Sequence, residues 1–125
     1  MVIRMGKTVL VIDDDDMNLK MAEFILSKKM YRVLKAASGQ EGLALLKQEP
    51  VDLVLLDIEM PKMNGIEVLQ QIRKEETICQ VKVIALSALD DEETFQKMQE
   101  LGTAGYVKKP FMPANLLEQV EAALA

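Results

Sequence analysis

Residues 54–65 read VLLDIEMPKMNG, and the interpretation of this stretch decides the fold. Val54, Leu55 and Leu56, with Leu53 before them, form a short apolar run that ends on the acid Asp57. A run of this length with a β-branched member suits a strand covered on both faces in a parallel sheet. A helix is the competing reading. Pro61 and the pair Asn64-Gly65 oppose it, since both punctuate regular structure soon after the acid. Asp57 is therefore expected at the carboxyl-terminal tip of a central strand, where open α/β sheets hold their ligands. A lone aspartate there can equally cap the turn that follows. The rest of the chain has to decide its role.

Working outward, TVLVI at residues 8–12 is a second buried strand, and it runs straight into Asp13, Asp14, Asp15 and Asp16. Consecutive acids suit a solvated loop or a helix N-terminus. Directly after a buried strand, at least two are forced together, and cations or protons must relieve the repulsion. Residues 18–29 carry a helical pattern with Leu19, Ala22, Ile25 and Leu26 on one side. Residues 31–36 alternate like a strand. Ser38-Gly39-Gln40-Glu41 reads as a capping box opening a helix that buries Leu43, Leu45 and Leu46, and Pro50 closes that unit.

Beyond the central stretch, Gly65 leads into a helix with Ile66, Leu69 and Ile72 at helical spacing, followed by a polar connection over residues 74–80. Residues 81–86 form another buried strand that delivers Ser87 at its tip. Residues 90–101 form a helix with an acid-rich first turn, stopped by Gly102. Residues 104–107 are a short last strand delivering Lys108 and Lys109. Pro113 opens a final helix to Leu124, with Leu116, Leu117, Val120 and Leu124 facing inward. Five strands alternating with five helices, without repeats or a linker, predict one doubly wound α/β domain with a five-stranded parallel sheet over residues 1–125. Residues 1–6 read as a flexible tail.

Composition narrows the function. The chain has 125 residues, a net charge of −5 and no histidine. Acidic balance argues against direct nucleic-acid binding. Without histidine, imidazole acid–base catalysis and imidazole-ligated metals are excluded. The single cysteine, Cys79, forbids an internal disulfide and fits a reducing cytoplasm as a half-buried apolar residue. The start, MVIRMGK, holds no signal peptide, and no stretch is long and apolar enough to span a membrane. Most of the nine methionines read as core filler.

Three strand tips thus gather polar groups: the acids after the first strand, Asp57 after the third and Ser87 after the fourth, with Lys109 following the fifth. Carboxylates converging with a hydroxyl and an ammonium suit a hard divalent cation and a phosphoryl group. An ionised carboxylate can itself be the nucleophile, forming an acyl phosphate. Mg²⁺-dependent phosphoryl chemistry on Asp57 follows from the residues alone.

VLVIDDD, LLDIEMPKMNG, VIALSA and GYVKKPF occur in this order at residues 9–15, 55–65, 83–88 and 105–111. Together they resemble the receiver domain of two-component response regulators, over nearly the whole chain from Lys7. The resemblance implies a flavodoxin-like sheet in the order 2-1-3-4-5. It implies that Asp57 accepts a phosphoryl group from a sensor histidine kinase or a histidine phosphotransfer protein. Asp13 and Asp14 would be the acid pair, Asp14 the more direct ligand of Mg²⁺ beside Asp57, with Mn²⁺ able to substitute. The main-chain carbonyl of Glu59 would be a further ligand. Ser87 and Lys109 would contact phosphoryl oxygens, Tyr106 would swing as the switch aromatic, and Lys109-Pro110 would be a cis peptide. A downstream effector protein or domain would read the switched surface. The domain would catalyse only its own phosphorylation and dephosphorylation, with Glu59 and Leu89 tuning the latter from an exposed rim.

Taken singly, Tyr106 reads as a half-buried core tyrosine, Lys109 as a surface lysine and Ser87 as a turn residue; only their conjunction changes that. Asp16 stands where many receivers have proline, so the first helix can start differently. Met112 leaves the last helix without a polar cap, and the absence of Lys and Arg from that helix removes the charge pattern of dimerising transcriptional regulators. On the first helix, Asn18, Ala22, Ile25 and Leu26 are assigned inward, placing Met17, Lys20, Phe24 and Lys28 outward as a docking surface for the kinase. Two other classes compete. A Mg²⁺-dependent phosphohydrolase would need a second aspartate two residues after the nucleophile, where this chain has Glu59. A phosphate-independent docking module would not need the intact set Asp14, Asp57, Ser87 and Lys109. Both a stand-alone domain and a piece of a larger regulator or hybrid kinase fit.

Overall fold

The computed structural model describes residues 6–88 and 91–125. Strands β1 (Thr8–Ile12), β2 (Arg32–Ala36), β3 (Leu53–Asp57), β4 (Lys82–Ser87) and β5 (Gly105–Lys108) alternate with helices α1 (Asp16–Ser27), α2 (Gly39–Gln48), α3 (Gly65–Lys74), α4 (Glu92–Glu100) and α5 (Pro113–Leu124). All pairings are parallel, in the order β2-β1-β3-β4-β5. The register sets Val9 beside Leu53, Ile12 beside Leu56 and Asp57 beside Leu86.

Because side chains alternate along a strand, β1 and β3 feed two separate cores. Val9, Val11, Leu53 and Leu55 pack with Leu19, Ala22 and Leu26 of α1 and with Leu116 and Val120 of α5. Leu10, Ile12, Val54 and Leu56 pack on the opposite face with Leu46 of α2, Val68, Leu69 and Ile72 of α3, and Met98 of α4. All residues of β1 and β3 are buried, which explains why each reads as a continuous apolar run. Burial of each leucine contributes about 1.5–3 kcal/mol.

The turn after β3 is held by a close fit at Gly65. Its N–H donates to the carbonyl of Ile58 at 3.0 Å. A Cβ there would stand 2.5 Å from the carbonyl oxygen of Asp57 and 2.6 Å from Cα of Ile58. Only glycine lets α3 begin this close to the acid. Asn64 caps that helix in a complete capping box with Glu67: the side chain of each accepts the main-chain N–H of the other, at 3.0 and 3.2 Å.

Several expectations need correction. The box expected at Ser38 is half formed: Ser38 Oγ accepts the Glu41 N–H, but the Glu41 carboxylate accepts from Ala37 rather than from Ser38. The pair Asn64-Gly65, read only as punctuation, holds the complete box. Leu43 and Leu45 pack half-buried against one core and Leu117 and Leu124 against the other, as expected, and Ala123 is also buried in the last turn. Among the described methionines, Met17, Met21, Met30 and Met112 are exposed, while Met60 and Met98 are buried and Met63 packs against the core, so most of those described are not core filler. Asp15 caps α1 by accepting from the Met17 N–H, so that helix starts at Asp16 without a proline. Met112 supplies no side-chain cap to α5, as its apolar character implies, and Gly102 ends α4 at φ +82°. Among the described residues no helix is long and apolar enough to cross a membrane. The readings placed on residues 1–5, Leu89 and Asp90 lie outside the described residues.

Candidate functional site

At the carboxyl ends of the central strands, β1 delivers Asp13 and Asp14 and β3 ends on Asp57. One carboxylate oxygen of each lies within 4.8 Å of the others. Asp13 and Asp57 are buried, at 0% and 1% exposure, while Asp14 faces solvent. Lys109, one residue past β5, reaches both buried acids, its Nζ standing 2.7 Å from Asp57 Oδ1 and 3.2 Å from Asp13 Oδ2. Its main-chain N–H donates to the Ser87 carbonyl at 2.9 Å, which ties the end of β5 to the end of β4. The Lys109-Pro110 peptide is cis.

The three acids have different work. Asp13 is committed to protein donors: Oδ1 accepts the Asp15 N–H at 2.9 Å, and Oδ2 accepts from Asn18 Nδ2 at 3.2 Å and from Lys109. Asp57 Oδ1 accepts the Glu59 N–H at 3.1 Å beside Lys109. Asp14 presents its carboxylate outward. Burial pushes the Asp57 carboxyl from 3.8 up to about 7, opposed by the Lys109 hydrogen bond and reinforced by the negative charge of Asp13. For Lys109, burial disfavours the ammonium, but its hydrogen bond to Asp57 and the charge of Asp13 outweigh it and raise the pKa. The Asp57 shift is set first by burial, whereas the Lys109 shift is set by its two acid partners.

This donor set fits a hard cation: the oxygens are carboxylate, one is solvent-accessible, and no sulfur or imidazole is present in the cluster. Ser87 is fully buried as the last residue of β4, one position past the partner of Asp57. Tyr106 lies on β5 opposite Ala85, half-buried, with its ring edge-on to Phe95 at 5.6 Å between centroids and 72° between planes.

Glu59 departs from expectation. It is half-buried rather than exposed on a rim, and Oε1 accepts the Ala88 N–H at 2.7 Å. Asn18, assigned to the buried face of α1, is half-buried and instead orients Asp13. Helical periodicity gave no signal for that role, because the reach of Asn18 to Asp13 depends on where α1 starts.

The outward face of α1 also changes in detail. Met17 and Phe24 are exposed at 65% and 64%. Lys28 Nζ sits 4.0 Å from the Phe24 ring centroid, and Lys20 pairs with Asp16 at 3.0 Å. A groove of about 290 Å³ is lined by Met21, Phe24, Ile25, Lys28, Pro113 and Leu117, among others. Of the four residues expected to form the docking surface, Phe24 and Lys28 line the groove and Met17 and Lys20 do not. Met21 precedes Phe24 by three positions, so helical spacing could have found it. Pro113 and Leu117 come from α5 and had no signal in α1.

Residues 9–121 match the family model described as response regulator receiver domain. The probable C4-dicarboxylate response regulator DctR of Bacillus subtilis is 42% identical over 115 residues, covering 90% of this chain and 50% of that protein. The polar-differentiation response regulator DivK of Brucella ovis is 27% identical over 120 residues, covering 96% and 98%. The chain thus spans about half the length of DctR and nearly all of DivK. Among solved structures, the chemotaxis protein CheY4 of Vibrio cholerae superposes with a TM-score of 0.90 at 28% identity, covering 95% of this chain and 99% of that one. A CheY-like receiver domain from Methanospirillum hungatei gives 0.88 at 33% identity, covering 95% and 94%.

Proposed function

The chain belongs to the response regulator receiver domain family, a family of phosphorylation-switched signalling domains, and from that premise we propose that Asp57 is its phosphoacceptor. The observation that carries the reading is the pairing of a buried, half-neutralised carboxylate with Lys109 inside an acid cluster. The donor is a phosphohistidine on a sensor histidine kinase or a histidine phosphotransfer protein. A carboxylate oxygen of Asp57 forms the O–P bond as the N–P bond breaks, and the imidazole leaves with the electron pair and takes up a proton. The product is an acyl phosphate.

Asp14, Asp57 and the main-chain carbonyl of Glu59 hold Mg²⁺, with Mn²⁺ as a substitute, and Asp13 stands behind them, braced by Asn18 and the Asp15 N–H. When bound, the cation offsets the charge of the carboxylates and of the transferring phosphoryl oxygens. Lys109 stays protonated and moves from a carboxylate partner to a phosphoryl oxygen. Ser87 hydrogen-bonds another phosphoryl oxygen, and Tyr106 follows it inward. An effector protein or domain reads the altered surface. The same site hydrolyses its acyl phosphate slowly, and the reaction takes place in the cytoplasm.

Incubation with acetyl phosphate and Mg²⁺ is expected to add one hydroxylamine-sensitive phosphate, seen by intact mass, to the native chain and none to Asp57→Asn. Phosphate retained by the variant would overturn the assignment.

A further inference from the structure

Both carboxylate oxygens of the buried Asp13 are held from the first turn of α1. Oδ1 accepts the main-chain N–H of Asp15 at 2.9 Å, and Oδ2 accepts Asn18 Nδ2 at 3.2 Å. Asp15 is also the cap of α1, its side chain accepting the Met17 N–H at 2.9 Å. The residue that grips one oxygen thus also fixes where the helix starts, and with it where Asn18 lies. Asn18, Ala22 and Ile25 follow one another at helical spacing, and Leu19, Ala22, Ile25 and Leu26 are buried in one core with β1 and β3. Asn18 therefore stands at the acid end of the buried stripe, on an element that packing holds still.

The two donors on Oδ2 differ in kind. Lys109 Nζ, at 3.2 Å, carries a charge and stands closer to Asp57, at 2.7 Å. Its hold on Asp13 changes with whatever Asp57 carries, because the stronger of its two contacts is to Asp57. The side chain of Asn18 bonds Asp13 and no other described residue. A buried carboxylate oxygen needs a donor, yet a cationic donor subtracts from the negative charge that a metal ion meets. A neutral amide satisfies Oδ2 and leaves the charge of Asp13 intact.

We propose that Asn18 is a positioning residue for the cation: its neutral amide holds the Asp13 carboxylate in place whatever Lys109 does, and so sets how tightly the site binds Mg²⁺. Asp13 lies within 4.8 Å of the oxygens of Asp14 and Asp57, so a turn of its carboxylate changes the field at the point where those acids meet. Groups that orient the acids of a metal site commonly contribute about ten-fold or more to affinity.

The proposal rests on the cation site at Asp14 and Asp57, and its test reads binding apart from phosphorylation. Mg²⁺ affinity is measured by isothermal titration calorimetry on the unphosphorylated native chain, Asn18→Leu, Asn18→Lys and Asp14→Asn. Leucine keeps the size of the side chain without a donor, and lysine keeps a donor but adds a charge. Each is expected to weaken binding about ten-fold, a change that lost stability alone does not produce in a chain that remains folded. Native affinity in Asn18→Leu overturns the positioning role, and native affinity in Asn18→Lys overturns the need for a neutral donor. If Asn18→Leu does not fold, Asn18→Lys decides. Phosphorylation by acetyl phosphate gives a second readout: saturating Mg²⁺ is expected to return Asn18→Leu to within about two-fold of the native rate. A rate still about ten-fold down at saturation overturns the proposal, because Asn18 then acts on Asp57 and not on the cation. A native chain that binds Mg²⁺ but takes up no phosphate overturns the phosphoacceptor reading alone, and calorimetry still decides the role of Asn18. A native chain that binds no Mg²⁺, or Asp14→Asn that binds it equally well, overturns the cation site and this proposal together.

Discussion

Asp57 carries a charge problem that its neighbours only partly relieve. Its folded-state pKa of about 7 lies above the ordinary 3.8, so the folded chain keeps this proton to higher pH than the unfolded chain does. The stability it contributes is complete below the ordinary value and is lost as pH rises through about 7. Without divalent ions, the native chain is expected to lose on the order of 2 kcal/mol more than Asp57→Asn between pH 5 and pH 8, measured by urea unfolding. Parallel profiles for the two proteins would mean that the acid is not strained. Asp14 behaves differently because it faces solvent. Asp14→Asn should change metal-free stability by less than about 0.5 kcal/mol, since repulsion at an exposed carboxylate is screened by water.

At the scale of single elements, the last turn of α3 carries a residue that closes two loops. Arg73 donates through Nε to Leu101, through one terminal nitrogen to Cys79 at 2.9 Å and Val81 at 2.7 Å, and through the other to Gly102. These carbonyls belong to the end of α4 and to the approach to β4, places where helices and strands leave acceptors unpaired. A planar fork with five donors can serve four acceptors, and an ammonium on a flexible stem cannot. Arg73→Ala is expected to cost about 2–3 kcal/mol in urea unfolding, with Arg73→Lys recovering less than half. Full recovery by lysine would show that charge, not geometry, holds the loops. On α1, Phe24 is exposed beside the groove completed by Pro113 and Leu117. Phe24→Ala should slow phosphotransfer from the cognate kinase about ten-fold or more, with transfer from acetyl phosphate and the unfolding midpoint unchanged. Equal slowing from both donors would remove Phe24 from the docking contact.

The whole molecule places strain at one end of the sheet and supports it from both faces. Two cores flank β1 and β3 along their full length, and the acids begin where those cores stop. A cation bound to the folded chain alone stabilises it by mass action, about 2.7 kcal/mol at a hundred-fold excess over Kd. Mg²⁺ is therefore expected to raise the unfolding midpoint of the native chain and to leave Asp14→Asn nearly unmoved. A similar rise in both would place the cation away from Asp14.

By itself the amino-acid sequence determined the two-faced sheet, the alternation of five strands with five helices, and the convergence of Asp13, Asp14, Asp57, Ser87 and Lys109 on one end. Apolar runs such as Leu53–Leu56 encode burial on both faces, and a parallel, doubly wound sheet brings the ends of its strands together whatever the helices contain. Local chemistry was less legible. Glu41 and Glu67 follow their caps at equal spacing, yet only Glu67 completes its box, because the backbone path before each helix decides which N–H lies in reach. Tertiary structure alone decided the contacts made across long separations: Glu59 on Ala88, Arg73 on four carbonyls, and α5 closing the groove beside Phe24. Periodicity reports which face of an element is apolar. It carries no record of where a long polar side chain ends, since that depends on the angle and offset of a neighbour distant in sequence.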